Sequence, residues 1–278
     1  MTKITPGSKL DAALREKADR CGDALRAMGG VVVAVSGGVD SALLVALAAE
    51  ALGPDHVLAA HATGPLFPRH ERAAAHSAAE RARVELVEIE VSPWEDPKFA
   101  ANPPDRCFLC KTAIFGRLQA LAAERQMAAV ASGTHADDVT GYRPGLAAEE
   151  QLGVRRPLLE AGLTKADIRA LSRAMGLPSW NAPSLACLAS RIPYGETITP
   201  ERLARIDRAE QALRAMGFSQ LRVRDHGGLG RIEVPPEEIP LALARREAIV
   251  SSLKEAGYPY VALDLEGYRS GSMDEVLD

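Results

Sequence analysis

The sequence is poor in aromatic residues, with two Trp, five Tyr and five Phe in 278 residues. Its core must therefore be built from close-packed aliphatic side chains, chiefly Ala, Leu and Val, as in helix-rich globular proteins. It has no surplus of positive charge: 33 Lys and Arg stand against 37 Asp and Glu, a net charge of −4. That excludes a broad electrostatic grip on phosphate backbones, so no bulk nucleic-acid partner is expected, while a local basic pocket for a small anion is compatible with it. A long hydrophobic run is also missing. The longest, residues 42–52, is cut by Glu50, whereas a spanning helix needs roughly 18 apolar residues, so no membrane partner is expected. The N-terminal segment is mixed in charge from Asp11 onward and lacks the apolar stretch of a signal peptide, which makes a cytoplasmic setting the expectation. Four cysteines are too few for a disulfide scaffold in a chain of this length, so their spacing is read for metal or catalytic chemistry.

What is present is a regular alternation of strand and helix patterns. Leu10, Ala13, Leu14, Ala18 and Leu25 fall near one face of a predicted N-terminal helix that ends at Gly29-Gly30. Residues 31–35 read as a strand buried on both faces, and 41–52 as a helix stopped by Gly53-Pro54. Further strands are predicted at 57–61, 84–91 and 128–132, and helices at 69–83 and 106–127. This order predicts an α/β fold with a doubly wound parallel sheet. After Ser132 comes a polar loop, then a helix opened by a capping box of Thr164 and Asp167 and ended at Gly176-Leu177-Pro178. Residues 178–194 read as a linker, and Thr199-Pro200-Glu201 starts another helix. Strands at 220–224, 230–234 and 260–265 with a helix at 241–256 predict a small α+β domain, followed by a loosely held tail after Gly267. Two domains are expected, 1–190 and 191–278, the second contributing substrate binding and association into a homo-oligomer.

The chemistry-bearing motifs lie at strand ends. Ser36-Gly37-Gly38-Val39-Asp40-Ser41 joins the first buried strand to its helix. Two glycines allow a tight turn whose N–H groups point into one concavity, the Ser36 and Ser41 hydroxyls add donors, and the helix presents its positive end. Together these make a pyrophosphate cradle. It is neither a Walker loop, since no Gly-Lys-Ser/Thr follows, nor a G-x-G-x-x-G fingerprint. Ser132-Gly133-Thr134-His135-Ala136-Asp137-Asp138 ends another strand, at the edge where open α/β sheets bind ligands. Gly133 and Thr134 would approach a nucleotide, and Asp137 and Asp138 have the oxygen donors that magnesium takes; a solvated Asx-rich turn is the plainer reading. Cys107 and Cys110 form a lone C-x-x-C, with Cys187 distant. The pair is half a zinc site, a redox pair or coincidence, and no second pair completes four thiolates. Three thiolates suit a 4Fe-4S cluster with one iron left for exogenous sulfide. A catalytic Cys187 beside a separate pair, or three core thiols, are the alternatives. Cys21 reads as structural.

The first motif resembles the PP-loop ATP pyrophosphatases, whose signature is SGGxDS after the first strand and which cleave ATP between the α and β phosphates. The resemblance implies that Ser36, Gly37, Gly38, Val39 and Ser41 bind ATP and that Asp40 lies near its Mg2+, unless that carboxylate only favours the helix N-terminus. Gly133, Thr134 and Arg143 would complete the nucleotide site, with Asp137 and Asp138 near the Mg2+. Within that group, Gly141-Tyr142-Arg143-Pro144-Gly145, Gly153-Val154-Arg155, the run from Pro157 to Lys165, and Cys187-Leu188-Ala189-Ser190-Arg191-Ile192-Pro193-Tyr194-Gly195 resemble the LarE family over nearly the whole chain. SGGVDS itself is shared with NAD synthases, GMP synthases and tRNA thiolases. LarE proteins are ATP-dependent sulfur transferases of nickel-pincer nucleotide synthesis, and the resemblance implies pyridinium-3,5-biscarboxylic acid mononucleotide as the small-molecule substrate. In one branch the sulfur comes from a cysteine at the position of Cys187, left as dehydroalanine. In the other, three cysteines hold a 4Fe-4S cluster, and Cys107, Cys110 and Cys187 match that pattern.

Several charged residues then acquire candidate roles. Arg191, Arg222 and Arg224 suit the substrate phosphate, the last two sharing one strand face. Arg143 and Lys111 suit neutralisation of ATP or an acyl-adenylate, Glu210 and Glu233 line the same pocket or hold a metal, and His135 shapes its loop. Two rival readings stand beside this one. A tRNA thiolase or NAD synthase-like amidotransferase would share the loop, and the former would shift bulk tRNA; a non-catalytic adenine-nucleotide binder would hold ATP without releasing pyrophosphate.

Overall fold

The structure, a computed structural model, describes residues 10–139, 143–183, 186–269, 271–273 and 275. Gly141 and Tyr142, Ser184 and Leu185 beside Cys187, and the first nine residues of the N-terminal segment lie outside the described residues. In chain order the elements are α1 (Ala12–Arg26), β1 (Val31–Ala34), α2 (Val39–Leu52), β2 (Val57–Thr63), α3 (Arg69–Ala82), β3 (Glu85–Glu90), α4 (Pro97–Ala100), α5 (Arg106–Glu124), β4 (Ala129–Ala131), α6 (Pro144–Gln151), α7 (Pro157–Glu160) and α8 (Lys165–Ala174). They continue with α9 (Pro200–Ala215), β5 (Arg222–His226), β6 (Leu229–Glu233), α10 (Ile239–Ala244), α11 (Arg246–Ala256) and β7 (Tyr260–Leu263).

Two compact units result: Met1–Gly64, Arg69–Val91 and Asp105–Leu185 form the first, and Pro65–Pro68, Ser92–Pro104 and Ala186–Asp278 the second. The division falls at 185/186 where the sequence suggests 190/191, and two short stretches from before it join the second unit. Backbone bonds explain why: Leu188 N donates to Leu66 O, Gly195 N to Asn102 O and Ile198 N to Ala100 O.

In the first unit the strand order is β3-β2-β1-β4, with every neighbouring pair parallel. Val31, Val32 and Val33 of β1 are fully buried, and alternate residues feed different cores. Val31 and Val33 pack with Leu25, Leu44, Ala79 and Ile168, whereas Val32 packs with Phe115 and Leu118 of α5. Helices thus cover both faces, which is why the strand is β-branched throughout and why the expected doubly wound sheet forms. The chain runs outward from β1 through β2 to β3, then returns to β4 on the other side. The loops after β1 and β4 therefore leave adjacent strands at the switch point, where a crevice opens at the carboxyl edge. The polar loop expected after Ser132 contains α6 and α7, each with proline at its first position; such short helices are too brief to show a helical period.

In the second unit β5 and β6 pair antiparallel and β6 and β7 parallel, covered by α9 and α11 through Ala209, Leu213, Ile249 and Leu253. Gly227-Gly228 form a two-residue hairpin loop, with His226 paired to Leu229, so β5 reaches His226 and not only residue 224. The helix expected over 241–256 is interrupted at Arg245, whose guanidinium donates to the Met216 carbonyl. The tail is anchored in its described part: Tyr268 N donates to Val234 O, and Ser272 Oγ lies 3.0 Å from Arg224 Nη2. Among the described residues no helix is long and apolar enough to cross a membrane.

The turn between β1 and α2 depends on Gly37. Its φ is +83°, and a Cβ there would lie 2.6 Å from the Glu71 carbonyl oxygen and 2.9 Å from Ala74 Cβ. Gly53, at the far end of α2, has φ +85° with nothing within 4 Å of an added Cβ. Gly53→Ala should therefore cost about 1–3 kcal/mol from backbone conformation alone, leaving ATP binding untouched. Gly37→Ala adds a backbone clash, so it should lower the urea midpoint further and weaken ATP binding in calorimetry by more than about tenfold.

Candidate active site

The approach to the turn is set from β2. Buried His61 places Nδ1 2.8 Å from the Val35 carbonyl, and because a carbonyl only accepts, that nitrogen carries the proton. Burial holds the imidazole pKa below its ordinary value, against the bond to Val35, which raises it. Within the turn, Ser41 Oγ accepts from Ser36 N at 3.2 Å and donates to the Gly38 carbonyl at 3.1 Å, while Gly38 N donates to Ser36 Oγ at 3.3 Å. These bonds are long for hydroxyls, so they hold the turn yet can be exchanged for stronger contacts to an anion. Gly38 is the N-cap of α2, and Val39, Asp40 and Ser41 form its first turn.

The second motif meets the first. A Cβ on Gly133 would lie 3.0 Å from Ser41 N. Asp40 accepts from Lys165 Nζ at 2.6 Å through both carboxylate oxygens, and Asp137 accepts from Lys165 N at 2.8 Å. Asp137 N donates to His135 Nδ1, so the His135 proton sits on Nε2, 3.8 Å from Asp40 and 3.3 Å from Asp138. Arg143 Nη2 is 3.6 Å from Asp138. Ser36–Ser41, Gly133, His135, Asp137, Asp138 and Arg143 are thus gathered at one place, as the sequence suggests. Lys165 joins them without having been singled out. It is the first residue of α8, after the expected Thr164–Asp167 capping box. A lysine there opposes the helix dipole, and that is the signal which points to a nearby anion.

Asp40, Asp137 and Asp138 offer the oxygen donors of a magnesium site, but each is engaged by Lys165, a backbone N–H or His135. Among the described residues no group of three or more His, Cys, Asp or Glu side chains is placed to hold a metal ion. The donor set suits Mg2+ brought by ATP, held through one or two carboxylates and the phosphates.

Lys111, expected to neutralise the nucleotide, is paired with Glu149 of α6, whose carboxylate is wholly buried. Ser132 and Thr134 hydroxyls also donate to Glu149, a residue that no sequence motif marks. Cys107 is exposed and Cys110 half-buried, one helical turn apart at the start of α5. Cys21 is buried, and burial, reinforced by the Glu160 charge, pushes its thiol up to about 12, in keeping with a structural role.

In the second unit Cys187 precedes a helical turn, Leu188–Arg191. Arg191, only 1% exposed, does not present its fork to a phosphate. Its Nε and Nη2 bind Glu210 at 2.8 and 2.9 Å, and its Nη1 donates to the carbonyls of Ala186 and Cys187 at 2.7 and 2.9 Å. It therefore fixes the backbone of the cysteine. Glu210 and Glu233, entertained as metal ligands, are engaged by arginines: Glu210 by Arg191 and Arg214, Glu233 by Arg224 and Arg231. Arg222 and Arg224 are buried and not solvated. The Arg222 guanidinium stacks over the Tyr268 ring, and burial together with the neighbouring Arg191 charge pulls its pKa down to about 10. Among the described residues, Arg191, Arg214, Arg222, Arg224 and Arg231 share Glu210, Glu233 and Asp264, and Arg224 Nε is buried with no hydrogen-bond partner. A buried guanidinium nitrogen without an acceptor favours the arrival of one, such as an anion's oxygen.

Residues 10–129, which carry the Ser36–Ser41 turn, match the NAD synthase family. An uncharacterised protein of Synechocystis is 39% identical over 88% of this chain and 92% of its own length. A second relative, the pyridinium-3,5-bisthiocarboxylic acid mononucleotide synthase of Lactiplantibacillus plantarum, is 38% identical over 91% of this chain and 92% of that protein. The chain belongs to the LarE family. A more distant protein of Methanocaldococcus jannaschii is 29% identical over 86% of this chain and 91% of its own length. As a LarE-family member, the chain is an ATP-dependent sulfur transferase, and its NAD synthase-like part is the PP-loop region.

The buried Arg191–Glu210 pair makes a testable contribution to this LarE-family fold. Burial raises the Glu210 pKa, but the Arg191 charge and its hydrogen bonds more than offset that, so the carboxyl titrates below its ordinary value of 4.5. A depressed folded value gives stability that is fully present above the unfolded value and lost as pH falls through the folded one. Glu210→Gln should cost about 3–5 kcal/mol in urea unfolding at pH 7, and the gap between variant and parent should narrow only below about pH 4.5.

Proposed function

We propose that the chain adenylylates a carboxylate of pyridinium-3,5-biscarboxylic acid mononucleotide and replaces a carboxylate oxygen with sulfur, giving the thiocarboxylate. The observation that carries this reading is the convergence of the Ser36–Ser41 turn, Gly133 and the Asp40–Lys165 pair at the sheet's switch point. Support for the substrate comes from the synthase relative, named for the bisthiocarboxylic product.

A carboxylate oxygen of the substrate attacks the α-phosphorus of ATP, the bond to the β-phosphate oxygen breaks, and pyrophosphate leaves into the turn. There the N–H groups and the positive end of α2 stabilise it. Asp40 would hold the Mg2+ that accompanies ATP, and Lys165, once free of that carboxylate, turns its charge to the phosphates. A sulfide sulfur then attacks the carbonyl carbon, and AMP departs with the former carboxylate oxygen. Arg222 and Arg224 hold the substrate phosphate, a role supported by their shared strand face, their burial and the buried Arg224 Nε that has no hydrogen-bond partner among the described residues. Arg191 acts as a positioning residue behind Cys187.

For the sulfur source we favour a 4Fe-4S cluster on Cys107, Cys110 and Cys187, which would supply sulfide at its fourth iron. The C-x-x-C pair one turn apart on α5 supports this, since a sacrificial Cys187 needs no such pair. Self-association through the second unit, where Leu243, Tyr260 and Leu265 are exposed, and a cytoplasmic setting complete the reading.

Anaerobically purified protein given ATP, Mg2+, sulfide and the biscarboxylate nucleotide should release pyrophosphate and form thiocarboxylate, detected by mass spectrometry. Asp40→Ala should abolish pyrophosphate release without unfolding. Iron, acid-labile sulfide and sulfur transfer should fall together in Cys107→Ser, Cys110→Ser and Cys187→Ser. Iron-free protein whose intact mass drops by one hydrogen sulfide after turnover would replace the cluster with sacrificial Cys187. ATP binding without pyrophosphate release would overturn the enzymatic reading itself.

A further inference from the structure

We infer that Glu149 is a positioning residue for adenylylation: its buried carboxylate fixes, at one point, the turn after β4 and the lysine that follows the C-x-x-C pair. The inference rests on the function proposed above and deepens it.

A carboxylate with no exposed surface is unfavourable unless it is paired and hydrogen-bonded. Glu149 meets both conditions. Lys111 Nζ donates to Oε1, Ser132 Oγ lies 3.1 Å from Oε2, and Thr134 Oγ1 lies 3.0 and 2.9 Å from the two oxygens. Stability alone does not call for this arrangement, because well-packed apolar residues of similar volume commonly serve a buried site as well or better.

The identity of the partners supplies the reason. Ser132 and Thr134 flank Gly133, which abuts Ser41 N at the start of α2. Anchoring both neighbours to one carboxylate immobilises the glycine between them and holds it against the phosphate turn. The third partner, Lys111, follows Cys110 on α5, and its side chain is 36% exposed while the Glu149 side chain is wholly buried. Its charge is held by Glu149 while part of its side chain stays exposed. Helix α6 leaves room for this: a Cβ on Gly145 would lie 2.8 Å from Lys111 Cδ, so a larger residue there would have to displace the lysine stem from its present path. Glu149 thus ties α5, the turn after β4 and α6 into one rigid mount for the nucleotide site, with no contact of its own to the reacting atoms.

Glu149→Gln keeps the shape of the side chain but cannot accept from the lysine and both hydroxyls at once. Pyrophosphate release should show KM for ATP raised about tenfold, with kcat within about twofold, as expected when ground-state binding geometry is lost. Calorimetric ATP affinity should fall in parallel at a temperature where the variant stays folded, and the thermal midpoint should also drop, since a buried paired carboxylate is lost. Thr134→Val should give a similar rise, and Thr134→Ser should recover most of that loss. The double variant Glu149→Gln/Thr134→Val should be no worse than either alone, since both break one linkage. Unchanged ATP affinity in Glu149→Gln, or additive losses in the double variant, overturns the inference. If Glu149→Gln fails to fold, Thr134→Val with parental KM and affinity overturns it equally. A parent protein that releases no pyrophosphate would instead sink the proposed function, a result these variants do not mimic.

Discussion

Asp40 brings a negative charge to the glycine-rich turn at the start of α2, and much of the first unit is arranged around balancing it. The balancing charge, Lys165, is carried by α8, whose start is set by the Thr164 cap and by Asp167. Asp167 in turn accepts from Lys17 of α1 at 2.6 Å. One line of contacts therefore runs from α1 through α8 to the first turn of α2. Both lysine pairs are partly exposed, and pairs of that kind are each worth about 1 kcal/mol or less. That is enough to orient the loops and little enough to be exchanged for a stronger partner.

The second unit solves the opposite problem. Arg191 and Glu210 are sealed from water, with side chains 1% and 3% exposed, and breaking such a pair leaves a charge stranded. Their bond is permanent, and it serves as an anchor: Arg191 and Ser190 both donate to the Cys187 carbonyl, at 2.9 and 2.8 Å. The cysteine is held by its backbone while its side chain stays half-exposed.

What the sequence reveals and what it conceals divide along one physical line. The β-branched run of β1, the glycine-rich turn and the Thr164 capping box are legible because each depends on neighbours a few residues away. The Asp40–Lys165 pair spans 125 residues, and Glu149 collects partners from α5 and from the turn after β4; no local pattern encodes either. Arg191 illustrates the same limit from the other side. Its planar fork suggests a phosphate partner in the sequence, but the anion it meets is the Glu210 carboxylate, which only the packing of α9 decides. The short α6, seen as polar loop in the sequence, is where the hidden carboxylate resides.

Cys21 gives the molecule an internal reporter of its own integrity. With its thiol raised to about 12 and its side chain shut away between helices, it resists alkylation at neutral pH. Cys107, Cys110 and Cys187 all retain some exposure. A maleimide count on native, metal-free protein therefore reads the surface thiols alone, and the appearance of one further label times the opening of the first unit's core.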